Sequence, residues 1–150
     1  KQAVLDSWAR AGELEPEVLE TYKEGLEKVN GFLKMLSDAG GKVLAATDSG
    51  DDKMVGVTLH REMKMLAAAG IEPYRVLLGA TRWPAENMNK DGLIGTVEAG
   101  KQADILILGS NPAEDIDNTT DIRYVIRKGK PVREPNYCSV ILPPLSRSCE

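Results

Sequence analysis

The stretch Lys42-Val43-Leu44-Ala45-Ala46-Thr47-Asp48-Ser49-Gly50 passes from an almost unbroken apolar run straight into a carboxylate and a glycine. A short segment that is apolar at nearly every position has the pattern of a strand buried on both faces of a parallel sheet, so a strand is expected over about residues 42–47. In parallel α/β folds the C-terminal ends of such strands line the active site, which makes Asp48 a candidate to bind a metal or move protons. The competing reading is a carboxylate that caps the following turn or helix. Position alone leaves both open.

Upstream of this run, Val18, Tyr22, Leu26, Val29, Leu33 and Leu36 step by three or four, the stripe of an amphipathic helix packed against another surface. Pro16 suits its first turn, and Gly40 with Gly41 supplies the stop. Helix and strand together make an αβ unit. Downstream, beyond a polar loop over residues 51–56, Leu59, Met63, Leu66 and Gly70 mark a second helix that again closes on glycine. A third is expected from Pro73 through "YRVLLGATR", with a shorter one around "PAENMN". The pattern changes at Gly92, where "GLIGTVEAGKQADILILGS" sets turn residues between β-type runs and "DIRYVIRKGKPV" reads as a hairpin about Lys128 and Gly129. Between them "NPAEDI" reads as one helical turn with Pro112 at its start.

The chain's 150 residues suffice for one ordinary domain but not for a whole (β/α)8 barrel, which takes about 250. Hydrophobic residues at 42% and charged residues at 28% give a globular composition. A net charge of -4 without a dense Lys/Arg cluster offers no footprint for nucleic acid or an anionic membrane, so neither is an expected partner. No run approaches the roughly 18 apolar residues of a membrane span, and the start "KQA" carries neither a signal-peptide core nor an initiator Met. Trimming, processing or an incomplete chain would each explain that start. Cys138 and Cys149 lack metal-type spacing and read as free thiols, which leaves the compartment open with the cytoplasm favoured.

Two near-motifs fail at their diagnostic positions. "GTVEAGKQ" copies a phosphate-binding loop but puts Gln102 where a magnesium-binding hydroxyl is needed, and a strand follows instead of a helix. "DSGDDKMVGVTL" resembles a calcium loop, yet Lys53 replaces the turn glycine and Leu59 the bidentate Glu. His60, the only histidine, lies off the centre of its helix's apolar stripe and reads as a half-exposed surface residue, with Arg61 and Glu62 on a solvated face. One histidine cannot supply a multi-histidine metal site.

Taken in order, "GGKVLAATDSG", "LHREMKMLAAAGIEPYRVLLGATRWPAENM", "GLIGTVEAGKQADILILGSNPAEDI" and "IRYVIRKGKPV" resemble the C-terminal portion of the metal-dependent amidohydrolases, in their imidazolonepropionase-like and prolidase-like branch. The resemblance covers about residues 16–133, and its most specific piece is the glycine-bounded "IGTVEAGKQADILIL" followed by "NP". It implies an α/β fold: residues 1–91 as the C-terminal part of a (β/α)8 TIM barrel, residues 92–135 as the C-terminal strands of a small β-sandwich, and residues 136–150 as a tail. It further implies that Asp48 matches the family's strand-eight aspartate, which faces a divalent metal, zinc being the expected ion, and takes the proton of the attacking water. Asp48 is therefore the expected catalytic residue and metal ligand. His60 and Glu62 stand where this branch often has His and Glu; no catalytic role is carried onto them.

The family's other metal ligands belong upstream, and nothing in residues 1–47 matches them. The expectation is thus a C–N hydrolase of small amides, cyclic amides or dipeptides, holding one or two metal ions in its complete form and inactive as this chain alone. It would need the N-terminal half of the barrel as a partner, with homo-oligomerisation left open. The alternative is a non-catalytic assembly module that keeps the shape without the metal site.

Overall fold

In a computed structural model of the chain, the described residues are 15–48 and 56–132. The expected tail with Cys138 and Cys149, the last residues of the expected β region and most of the polar loop lie outside them. Among the described residues the order is α1 (Pro16–Asp38), α2 (Val57–Ala68), α3 (Pro73–Ala80), α4 (Arg82–Asn87), β1 (Ile105–Leu108), a 3-10 helix (Ile116–Thr120), β2 (Ile122–Arg127) and β3 (Lys130–Pro131). No helix among them is long and apolar enough to cross a membrane.

Local signals place the helix ends. Pro16 and Glu17 open α1, suiting the donor-rich, positively polarised first turn. Both α1 and α2 end in the same paired motif: Gly40 N–H donates to Ser37 O and Gly41 N–H to Leu36 O, while Gly70 N–H donates to Ala67 O and Ile71 N–H to Leu66 O. That geometry needs a left-handed residue, and Gly40 (φ 87) and Gly70 (φ 92) provide it without a Cβ clash. The break between α3 and α4 falls at Thr81, with φ -133 and ψ -78. Pro84 explains it, because a continuous helix would need an N–H from residue 84 to Ala80 O.

The core gathers Met63 and Leu66 of α2, Ile71, Val76 of α3 and Ile116 of the 3-10 helix, with Leu33, Val43 and Ala45 packed at its margin. Residues 41–48 join no strand ladder among the described residues, and exposure alternates along them, with Val43 and Ala45 inward and Leu44 and Ala46 outward. The segment is extended and covered on one side; a strand buried on both faces requires neighbours on both edges and a second layer, which the described residues do not supply. The stripe of α1 is likewise mostly bare: Tyr22 is 66%, Val29 53% and Leu26 45% exposed, and Leu33 alone of these reaches the core margin.

The β region forms one antiparallel sheet ordered β1-β2-β3, with no second sheet among the described residues. β1 pairs β2 from Ile105 opposite Ile126 to Leu108 opposite Ile122, with a bulge between Ile107 and Leu108. Lys128 (φ 50) and Gly129 (φ 74) make the two-residue hairpin turn, whose two positive φ angles match the twist of the flanking strands. The run before the turn at residues 98–101 is not a strand. "NPAEDI" makes its single turn at Pro112: Glu114 and Asp115 N–H both donate to Asn111 O, at 3.3 and 3.4 Å, while Asn111 Oδ1 accepts from Ala113 N–H at 3.0 Å, and the 3-10 helix starts at Ile116. Asparagine favours such a turn because its side chain imitates the backbone acceptor.

Candidate functional site

Asp48 stands at the end of the 41–48 segment, exposed and with φ 43. A left-handed backbone is uncommon outside glycine, though Asp is among the residues that tolerate it. Segment placement comes from the helices below. Ala45 N–H donates to Gly79 O of α3 at 3.0 Å, and α3 comes so close that a Cβ on Gly79 would sit 2.3 Å from Val43 O. Lys42 pairs with Glu86 of α4. Glu86 also receives Arg82 Nε at 2.7 Å, and these two donors, Lys42 first, hold its carboxyl below the ordinary range.

Arg75 of α3 fixes the other end. Its Nε donates to Ser37 Oγ at 3.0 Å, its Nη2 to Gly41 O at 2.9 Å, and its guanidinium lies 5.3 Å from the centre of the Trp83 ring. Nothing in the sequence pattern singled this residue out, because its partners lie on three separate elements.

His60 is half-buried, as its position suggested, but it is not without a partner: its Nδ1 lies 2.9 Å from the buried Thr119 Oγ1 of the 3-10 helix. Burial lowers its pKa from the ordinary value. Glu62 is also half-buried instead of solvated, and burial raises its carboxyl. One turn along from His60, Lys64 Nζ pairs with Asp117 Oδ2 at 2.5 Å, and that hydrogen bond raises the lysine pKa. Helix α2 thus faces the 3-10 helix through a polar pair, an ion pair and the Met63, Leu66 and Ile116 cluster.

Among the described residues no group of three or more His, Cys, Asp or Glu side chains could hold a metal ion. Asp48 by itself does not fit a metal centre, which takes several ligands converging on one point. The described residues offer one carboxylate on a held segment.

Residues 26–132 match the Amidohydrolase family, and the chain belongs to that family. Among solved structures it is similar to a putative prolidase from Bifidobacterium longum, at 33% identity over 69% of this chain and 26% of that protein, with a TM-score of 0.61. It is also similar to a Xaa-Pro dipeptidase with methionine bound in its active site, at 24% identity over 71% of this chain and 26% of that one, TM-score 0.62. Molinate hydrolase follows at 24% identity over 67% and 25%, TM-score 0.57. The last two likenesses concern the fold alone. No curated relative matches. The chain spans about a quarter of the length of these structures. Family membership implies a TIM-barrel-type fold, and the described residues are mixed helix and strand.

Proposed function

We propose that the complete protein hydrolyses the C–N bond of a small amide or a dipeptide, with Asp48 as its proton-transferring carboxylate and one of its metal ligands. The observation that supports this most directly is the family match over residues 26–132, which includes the Asp48-bearing segment, together with 33% identity to a putative prolidase. In the proposed reaction the oxygen of water adds to the carbonyl carbon, the C–N bond breaks, and Asp48 carries the water's proton to the departing nitrogen. A divalent ion, zinc by preference, would require ligands beyond Asp48. The described residues do not build its site.

The test is turnover of acyl-proline dipeptides by the complete enzyme with and without the change Asp48→Asn. A loss of about 10²- to 10⁴-fold in kcat is expected for removal of a general base. Wild-type rates in Asp48→Asn would end this reading. The 150-residue chain alone is expected to show no turnover even with added zinc. A second reading, a non-catalytic assembly module, draws on the exposure of Asp48 and the lack of a ligand cluster among the described residues. Metal analysis of the complete protein separates the two: stoichiometric zinc or manganese favours the hydrolase, and a metal-free protein with a dispensable Asp48 favours the module.

A further inference from the structure

An extended segment normally owes its register to ladder hydrogen bonds, and residues 41–48 join no ladder among the described residues. Contacts to α3 and α4 tie the first five of them: Arg75 to Gly41 O, Glu86 to Lys42, and Gly79 O to the Ala45 N–H. Register matters here because side chains alternate. A slip by one residue would turn Val43 and Ala45 out of the core margin and move Asp48 by about 3.3 Å onto the opposite side.

Of the three ties, the Lys42–Glu86 pair sits at the surface, where an ion pair holds geometry weakly. The Ala45 bond fixes the middle of the segment. Where it leaves α1, the backbone bond from Gly41 N–H to Leu36 O is reinforced by the side chain of Arg75. One planar group reaches Ser37 in the last turn of α1 and the carbonyl of Gly41 beyond it, so the step between helix and segment is spanned by a rigid fork. Its surroundings are largely dry, with Ser37 5% and Trp83 8% exposed, and charge-assisted bonds in such places are stronger than in water. The ring of Trp83 further limits where the guanidinium can lie.

We propose that Arg75 is a positioning residue for Asp48, setting the register in which residues 41–48 leave α1. The inference rests on the reading of Asp48 as the reacting carboxylate, and its two measurements keep the two ideas apart. The first is amide hydrogen exchange in the full chain. Arg75→Met, which keeps the apolar stem and loses every donor, is expected to speed exchange at Ala45, whose N–H is bonded to Gly79 O, by about tenfold or more while Met63 and Leu66 of α2 keep their protection. Arg75→Lys, which keeps the charge but not the fork, is expected to fall between. The second is kinetics of the complete enzyme, where Arg75→Met should lower kcat by about ten- to a hundredfold with KM little changed, as for a misplaced reacting group.

Unaltered exchange at Ala45 in Arg75→Met overturns the proposal, as does an unaltered kcat in an enzyme that Asp48→Asn inactivates. If Asp48→Asn is itself active, the catalytic reading falls, and the exchange data alone decide whether Arg75 holds the segment. Should Arg75→Met lose its far-ultraviolet circular dichroism, Arg75→Lys takes its place in both measurements, and wild-type behaviour there is equally fatal.

Discussion

Thr119 has a single hydroxyl hydrogen, and its Oγ1 lies 2.8 Å from the carbonyl of Ile116 as the donor. The same Oγ1 lies 2.9 Å from His60 Nδ1. What opposes protonation is burial, which favours the neutral ring and sets the folded pKa below that of the unfolded chain. The unfolded state then binds more protons near and below about pH 6.5, so the contribution is fully present above that value and is lost as pH falls toward the depressed folded pKa. The chain is expected to melt lower at pH 5 than at pH 7.5. His60→Gln, which keeps a hydrogen-bonding group for Thr119 and cannot titrate in this range, is expected to flatten part of that fall. A series of thermal melts across the range checks it.

Among the elements, α1 shows how a helix can be locally well specified and poorly accommodated at once. Its stop rests on Gly40, where a Cβ would meet no neighbouring atom, so the only cost of a side chain is the left-handed backbone. Gly40→Ala is expected to destabilise the chain by about 1–2 kcal/mol, read from the denaturant midpoint at constant slope. Much of α1's length faces outward with apolar residues. Tyr22, Leu26, Val29, Phe32 and Met35 are all exposed, and a contiguous apolar face of this kind promotes association. The chain on its own is expected to elute above its monomer mass and to bind an apolar dye. Val29→Lys with Phe32→Lys should restore a monomer, and a monomeric wild type would refute the expectation.

At the scale of the whole molecule, the helical portion and the sheet are joined at the seam between α2 and the 3-10 helix, where Ile116 enters the core and Thr119 and Asp117 meet His60 and Lys64. The sequence showed both bodies and their order but not this seam. His60 and Thr119 are 59 positions apart, and Arg75 and Ser37 are 38 apart, so no local period connects them. Helix ends and the hairpin were legible for the opposite reason: a proline without an N–H or a glycine free to take positive φ acts within a few residues of itself.

The 41–48 segment divides the two kinds of information. Its apolar run and terminal carboxylate are written in the chain, as is membership of the amidohydrolase family through the ordered stretches that follow. Whether such a run becomes a buried strand is decided by what lies beside it, because ladder bonds and two covering layers are supplied by other parts of the structure. Here Val43 and Ala45 rest on the helical core, Leu44 and Ala46 face outward, and α3 sets the path that leads to Asp48.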